Sequence, residues 1–232
     1  MRRSIVATIL VIVSSLWFGR AALAQDAAQP TYVITYIEIA PKLASKAKQF
    51  IIAYSDGARK ASGAVQVDAL ERIGYPGHFA LIEQWQSASA KQAYASSEAA
   101  TRFRAALAPL QSAGYDERIH SALSVGPASP GYPGALMFVT HVDLIPTSVD
   151  VGVGKVKAFV EQGRGAAGNR RSDVLTQASR KNHMTVVEVW DKLASKQAWI
   201  STPVAKTFRE ELQPMSGSLY DERAYKVLPS HS

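Results

Sequence analysis

The feature that most constrains this chain is an internal repeat, in which a Glu-x-Trp sequence and the segment after it occur twice at an offset of 105 residues. Trp85 and Trp190 end the two copies of Glu-x-Trp, and Tyr115 and Tyr220 each begin the sequence Tyr-Asp-Glu-Arg. About a quarter of roughly ninety positions are identical in this register without a gap, which is far above chance. We therefore predict that one unit has been duplicated in tandem. Other matched pairs are Pro41 and Pro146, Arg59 and Arg164, Gly63 and Gly168, Asp68 and Asp173, His78 and His183, Lys91 and Lys196, and Phe103 and Phe208.

The first 24 residues have the composition of a secretory signal peptide. Arg2 and Arg3 precede an apolar run at 5–18, and Ala22-Leu23-Ala24 is a small-x-small cleavage sequence. The apolar run is shorter than the roughly 20 residues that a membrane-spanning helix needs. We therefore expect a periplasmic or secreted mature chain that begins near Gln25 and has no membrane segment after cleavage. Export by the Sec or the twin-arginine route stays open.

The composition argues against several classes of function. The chain has no cysteine, which excludes disulfides, a thiolate nucleophile and a cysteine metal site. The net charge of +7 falls to +4 once Arg2, Arg3 and Arg20 leave with the signal peptide, and the remaining charges are dispersed. This balance does not predict a nucleic-acid partner. The sequence has no metal-ligand spacing, nucleophile triad or phosphate-binding loop, so no metal site is predicted.

Hydrophobic periodicity predicts the same order of elements in each copy: strand, helix, strand, strand, helix, strand. This order is that of a ferredoxin-like unit, an antiparallel sheet with both helices on one face. The predicted fold class is therefore α+β, with repeat 1 at 32–125, a Pro/Gly linker at 126–134 and repeat 2 at 135–228. The predicted strands are 32–39, 65–73, 78–85 and 115–125, then 136–144, 170–178, 183–190 and 220–228; the predicted helices are 42–61 and 87–110, with a break near Ser96 and Ser97, then 148–167 and 193–212.

A ferredoxin-like sheet leaves one face uncovered, and two such sheets can cover each other. We therefore expect the two repeats to form a barrel-like pair within one chain. Side chains alternate between the two faces of a strand, and we expect the face with Ala80 and Ile82 to lie under the helices. That choice directs the following side chains into the space between the sheets: Tyr36, Glu83, Trp85, His141, Glu188 and Trp190.

The Glu-x-Trp strand, the aromatic residue nine positions after Trp85 and the sequence from Ser96 to Phe103 resemble antibiotic biosynthesis monooxygenase domains. These are dimeric α+β barrel proteins that usually form the barrel from two identical chains. The tandem repeat here would form a pseudo-dimer within one chain, and further association stays open. The resemblance implies an oxygenase without flavin, metal or other cofactor, which uses O2 on a small aromatic substrate such as a quinol or an anthrone. It also implies that Trp85 and Trp190 line the pocket.

Candidate site residues follow from the chemistry of the side chains at these places. Glu83 and Glu188 are carboxylates on a face that we expect to be buried, where such groups are paired or have raised pKa values. His141 is directed into the same space and could act as a base near neutral pH. The catalytic candidates are thus His141, Glu83 and Glu188. The substrate-binding candidates are all aromatic: Trp85, Trp190, Tyr36, Tyr94, Trp199, Phe103 and Phe208.

The same residues also have a structural interpretation. The tryptophans fit a hydrophobic core, and His78 and His183 begin strands beside turns, which favours a surface or turn-capping role. His120 carries no specific signal. Glu83 and Glu188 fit an acid–arginine pair repeated by the duplication, with these partners: Arg104, Arg209, Arg118 and Arg223.

Functions of different classes stay open. One is an exported, cofactor-independent monooxygenase; another is a non-catalytic periplasmic protein that binds a small aromatic or hydrophobic ligand. The second draws support from Tyr94 and Trp199, which stand where the family's helix typically carries a histidine, and from Leu81 and Val186, which replace a pocket asparagine of some members. A third is a barrel filled with its own side chains. A cavity on the order of several hundred Å³ beside either tryptophan would favour a ligand.

Overall fold

The computed structural model describes residues 29–127, 129 and 131–230, and its strands form one closed barrel. The predicted signal peptide lies outside the described residues. Eight strands occur where the periodicity predicts them, with a shift of at most one residue at either end. They are β1 (Thr31–Glu38), β2 (Ala64–Arg72), β3 (His78–Trp85), β4 (Asp116–Ser124), β5 (Leu136–Asp143), β6 (Asn169–Gln177), β7 (His183–Trp190) and β8 (Asp221–Val227).

The described residues form six α-helices: α1 (Ala44–Arg59), α2 (Ala88–Ala95), α3 (Glu98–Leu107), α4 (Val149–Gly163), α5 (Leu193–Ile200) and α6 (Pro203–Leu212). The predicted break near Ser96 and Ser97 is confirmed, because the Ser97 hydroxyl accepts the Ala100 N–H at 3.2 Å and begins α3. The single helix predicted at 193–212 is wrong. Thr202 caps α6, and Pro203 has no N–H with which to continue α5.

None of these six helices is long and apolar enough to span a lipid bilayer.

Each repeat contributes a four-stranded antiparallel sheet to the barrel. The strand order around the barrel is β1-β3-β2-β8-β5-β7-β6-β4, and β4 pairs with β1 to close it. The repeats meet along two antiparallel seams, where Leu70 of β2 lies opposite Val227 of β8 and Ala122 of β4 opposite Leu175 of β6. The predicted fold class, two ferredoxin-like repeats that form an intramolecular dimeric α+β barrel, is confirmed.

Three hydrophobic clusters stabilise the fold, one inside the barrel and one between the sheet and the helices of each repeat, and their residues correct one prediction. The barrel interior is filled by side chains such as Tyr32, Ile34, Ala80 and Ile82, together with Val187 and Val189 of repeat 2. The interior of an eight-stranded barrel is narrow and suits such side chains. The cluster between the sheet and its helices holds Phe79, Leu81 and Trp85 in repeat 1.

Glu83, Trp85, Glu188 and Trp190 therefore face the helices and not the space between the sheets, contrary to the prediction. The reason is that both faces of these strands are buried, so alternation alone does not identify the inner face. Tyr36 belongs to the interior layer as predicted. His141 follows Met137 and Val139 of that layer at even spacing and faces the interior as well.

The linker crosses one end of the barrel, where an aspartate from each repeat accepts a hydrogen bond from its backbone. Asp173 Oδ1 accepts the Gly126 N–H at 2.9 Å, and Asp68 Oδ1, at the matching position of repeat 1, accepts the Gly131 N–H at 3.2 Å. Buried Arg171 forms ion pairs with both carboxylates. The inter-repeat connection is therefore part of the barrel's packing.

Candidate functional site

The predicted site residues fall into three separate groups. Tyr36 and His141 lie inside the barrel. The other residues lie on the opposite side of the sheet, so a ligand cannot touch both sets at once. The repeat 1 group under the helices is Glu83, Trp85, Tyr94 and Phe103; the repeat 2 group is Glu188, Trp190, Trp199 and Phe208.

In repeat 1, Glu83 is held by neutral donors in an aromatic layer. The carboxylate is 1% exposed and accepts the Tyr54 hydroxyl at 2.9 Å and the Trp85 indole N–H at 3.2 Å. The Tyr54 ring stacks on Phe103 with ring centroids 4.2 Å apart, and the ring centroids of Trp85 and Tyr94 are 5.4 Å apart. Burial raises the pKa of Glu83, and the nearby Lys91 ammonium reduces that rise. This carboxylate is therefore easier to protonate than an exposed one.

In repeat 2, the matching carboxylate is held by a buried cation. Lys196 is 2% exposed; its ammonium binds Glu188 and, at 2.8 Å, Glu222. The ammonium also lies 5.0 Å from the Phe138 ring centroid and 5.9 Å from that of Trp190. Burial opposes the charged form of Lys196, but the two carboxylates together raise the pKa of the ammonium above its ordinary value. Lys196 thus stays protonated.

A single exchange between the repeats accounts for this difference. Phe159 occupies the position that Tyr54 has in repeat 1, so Glu188 receives no phenol hydroxyl and Lys196 takes its place as donor. In repeat 1, Lys91 binds Glu117 at 2.7 Å instead. Phe159 stacks on Phe208 with centroids 4.0 Å apart and on Trp199 at 5.3 Å. The acid of repeat 2 therefore combines a cation with a purely aromatic wall.

The predicted arginine partners of these acids are wrong. Arg104 and Arg209 donate to the backbone carbonyls of Ala95 and Ile200 at 2.8 and 2.9 Å. Arg118 and Arg223 pair with the aspartates two residues before them, on the barrel-facing side of β4 and β8. The acids use Lys91 and Lys196 as their nearby cations, and the recurrence of both lysines at the repeat offset was the signal that could have identified them.

Inside the barrel, a second polar cluster surrounds Tyr36 and His141. The Arg118 and Arg223 guanidinium carbons lie 5.0 and 5.3 Å from the Tyr36 ring centroid. His141 Nε2 lies 3.1 Å from Nδ1 of His183, and His183 Nε2 lies 3.4 Å from Asp143. Burial, and then the positive charge of Arg118, lower the pKa of His141. His183 therefore contacts His141 inside the barrel, in addition to standing beside a turn as predicted.

His120, to which the sequence assigned no role, is buried in the same interior. It is 2% exposed, with Nδ1 at 2.9 Å from the Arg118 carbonyl and Nε2 at 3.0 Å from the Thr185 hydroxyl. Burial lowers its pKa to about 4. Because Thr185 belongs to repeat 2, this histidine connects the two repeats.

Open clefts lie over repeat 2. One of about 450 Å³ is lined by Phe159 and Phe208, and one of about 420 Å³ by Trp199. A third, of about 590 Å³, lies beside Tyr220. Fully buried Trp85 and Trp190 line none of these three clefts. Within the part of the chain that the structure describes, no three His, Asp or Glu side chains are placed to hold a metal ion.

Comparison with known families agrees with this barrel and its two matching layers. The sequence profile of the family described as antibiotic biosynthesis monooxygenase matches residues 30–106 and 153–211, one segment in each repeat and more than half of the chain. The chain therefore belongs to the antibiotic biosynthesis monooxygenase family. A search of curated proteins gives no match.

Solved structures share the whole two-repeat fold at low sequence identity. A candidate monooxygenase from Fusobacterium nucleatum superimposes with a TM-score of 0.76 at 14% identity, over 87% of this chain and 94% of that chain. A candidate monooxygenase from Lactobacillus acidophilus gives 0.71 at 14% identity, over 86% and 94%. An anthrone oxidase-like protein gives 0.68 at 13% identity, over 88% and 93%. At these identities the likeness establishes the fold.

Proposed function

We propose that this chain is a cofactor-independent monooxygenase that oxidises a quinol, an anthrone or a similar phenol with O2, and that repeat 2 carries the reaction. The observation that supports this most is the buried cluster of Glu188, Lys196 and Glu222 beside aromatic rings. An aromatic wall suits a flat substrate, and a buried cation beside carboxylates suits the removal of a substrate proton and the stabilisation of the anion that forms. Membership of a monooxygenase family supports the same reaction class.

The reaction balances without an external reductant. For an anthrone, a carboxylate of the cluster takes one proton from the ring CH2 group, and the Lys196 ammonium stabilises the charge on the enolate oxygen that forms. The enolate transfers one electron to O2, and the two radicals join through a new C–O bond at the carbon that lost the proton. The peroxide anion takes that proton back, and the hydroperoxide then loses water, so CH2 becomes C=O. One oxygen atom enters the ketone, the other leaves as water, and the substrate supplies all four electrons.

A second candidate is a binding protein for a small aromatic ligand that performs no reaction. The observation that favours it is that both carboxylates already have partners within the protein: Glu83 accepts two neutral donors and Glu188 is bound by Lys196. A carboxylate keeps further lone pairs with which to accept a ligand hydroxyl, and its partners stabilise its charged form, so it need not take the proton.

Oxygen uptake by the purified chain with a panel of quinols and anthrones separates these functions, because the duplication provides matched variants. We expect substrate-dependent uptake that Glu188→Gln reduces strongly and that Glu83→Gln, the same change in repeat 1, leaves largely intact. The reverse order would move the reaction to repeat 1. A loss with His141→Asn alone would move it to the barrel interior. No uptake above the uncatalysed rate, with ligands that still quench tryptophan fluorescence, would leave the binding protein.

We further propose that the chain is exported, since residues 1–24 have the pattern of a signal peptide. Fractionation of cells that produce the full chain tests this proposal. A shortened chain in the periplasm or the medium is the expected result, and a full-length chain in the cytoplasm would contradict it.

A further inference from the structure

The cleft of about 590 Å³ lies between the end of α6 and the start of β8. Its lining includes Arg209, Leu212, Leu219 and Tyr220. Leu219 is 91% exposed and Tyr220 is 40% exposed, so a largely apolar wall is open to solvent. The family profile match ends at residue 211, before most of these residues.

Tyr220 connects this cleft to the buried charged cluster. Tyr220 directly precedes β8 and stands two residues before Glu222, so alternation places both side chains on the helix-facing side of the sheet. Glu222 binds Lys196 at 2.8 Å, and Lys196 binds Glu188. Tyr220 lines the cleft and is only partly buried, so part of its ring lies in the cleft. Thr140 lies opposite Glu222 in the pairing of β5 with β8. Burial, and then the negative charges of Glu222 and Glu188, raise the pKa of the Tyr220 phenol, and its interaction with the Thr140 side chain lowers it. The hydroxyl therefore lies beside Thr140, next to Glu222.

We propose that this cleft is the binding site for a neutral phenol, and that the Tyr220 side chain occupies the phenol's position in the unliganded protein. The inference rests on the proposed function, for which it names the substrate's entry and orientation. A phenol that displaces the Tyr220 ring brings its own hydroxyl to Thr140 and the neighbouring Glu222, whose carboxylate binds Lys196. The rest of the ligand lies against Leu212 and Leu219.

The matching tyrosine of repeat 1 lines none of the clefts described above. Tyr115 packs against the hydrophobic layer of repeat 1 and is only partly exposed. Gly114 stands where Leu219 forms the wall of the cleft in repeat 2. Tyr115 therefore provides a matched control for Tyr220.

Binding of 4-methylphenol, which is the tyrosine side chain as a free molecule, tests the proposal by calorimetry on the full chain. Tyr220→Gly vacates a phenol-shaped space, and apolar spaces of this kind bind molecules of matching shape. We expect Tyr220→Gly to bind 4-methylphenol about tenfold or more tightly than the unchanged protein does, and toluene, which lacks the hydroxyl, about tenfold less tightly than 4-methylphenol. Equal binding of the two ligands, or no gain over the unchanged protein, would overturn the proposal.

A milder pair of variants keeps the test valid if Tyr220→Gly does not fold. Tyr220→Phe loses only the buried hydroxyl, so its ring is easier to displace and 4-methylphenol should bind more tightly; Tyr115→Phe should leave binding unchanged. Equal effects of both variants would contradict the assignment of the cleft. The binding assay needs no turnover, so the two proposals can fail separately. Tighter binding without oxygen uptake on any substrate would contradict the proposed monooxygenase activity but support the phenol site. Oxygen uptake without phenol binding at Tyr220 would contradict only the proposed phenol site.

Discussion

At the scale of single residues, one exchange between the repeats sets the electrostatic environment of each buried carboxylate. Tyr54 gives Glu83 a neutral donor at 2.9 Å, whereas Phe159 at the matching position offers Glu188 none and Lys196 supplies it. Burial raises the pKa of both carboxylates, and the lysine of each repeat reduces that rise. The two repeats therefore differ in the group that contacts the acid, a neutral phenol in repeat 1 and an ammonium in repeat 2.

Replacement of Lys196 by methionine tests how much that cation contributes to the stability of the folded protein. The change preserves most of the side-chain volume but leaves Glu188 and Glu222 without their shared partner. Removal of one member of a buried ion pair costs about 3 to 5 kcal/mol of unfolding free energy. Lys91→Met should cost less, because its partner Glu117 has a side chain that is 32% exposed and can turn to water. Urea unfolding of both variants near neutral pH measures the difference, and equal losses would contradict it.

The residues of these clusters were predictable to different degrees. Glu83, Trp85 and their counterparts were predictable because the Glu-x-Trp sequence recurs at the repeat offset. Lys196 recurs as well, but a helix lysine is ordinarily solvated, so its type alone argued against burial. The partner of Glu188 depends on the absence of one hydroxyl at Phe159, and that consequence requires the positions of both side chains in space.

At the scale of elements, the break between α2 and α3 depends on one side chain. The Ser97 hydroxyl accepts the Ala100 N–H at 3.2 Å, and Thr202 does the same for Ala205 at 3.3 Å in repeat 2. Loss of such a cap costs about 1 kcal/mol, so we expect Ser97→Ala and Thr202→Ala each to lower the unfolding free energy by about that amount. Adjacent Ser96 is exposed and caps no helix start, so Ser96→Ala is the control. An equal loss at Ser96 would show that capping is not the cause.

The positions of the strands were predictable from periodicity, but the face that each strand turns inward was not. In β3 every residue from Phe79 to Glu83 is buried, so polarity does not distinguish the faces. Side-chain volume does: the narrow barrel interior accepts Ala80 and Ile82, and the wider layer under the helices accepts Trp85. The error in the predicted faces came from expecting the large aromatic residues between the sheets.

At the scale of the whole molecule, closure within one chain lets the two halves of the barrel differ. The seams β2–β8 and β4–β6 join the repeats, and Asp68 and Asp173 hold the linker across one end. Two identical chains would place the same side chain at both matching interior positions. Here Tyr36 stands in repeat 1 and His141 in repeat 2. A histidine cluster can therefore lie on one side of the interior only.

His120 makes the association of the repeats depend on pH. Burial lowers its pKa from 6.5 to about 4 in the folded protein, so between these values the unfolded chain binds more protons than the folded one. The contribution of His120 to the unfolding free energy is therefore fully present above about pH 6.5. It decreases as the pH falls towards about 4, by about 3 kcal/mol in total. His141, whose pKa is also lowered, adds a loss of the same sign.

A comparison of the unchanged protein with His120→Gln isolates this contribution from the carboxylates, which titrate equally in both. We expect the variant to be less stable at about pH 7.5, because it loses one of the contacts to Arg118 and Thr185, but to lose about 2.5 kcal/mol less on transfer to about pH 4.5. His78→Gln, at the partly exposed histidine of β3, is the control and should follow the unchanged protein. If His120→Gln and the unchanged protein lose stability in parallel, folding does not lower the pKa of His120, and the histidine takes up its proton in the folded protein as readily as in the unfolded chain. At about pH 4.5 an imidazolium would then contact Thr185, and the neighbours of His120 must stabilise its charge.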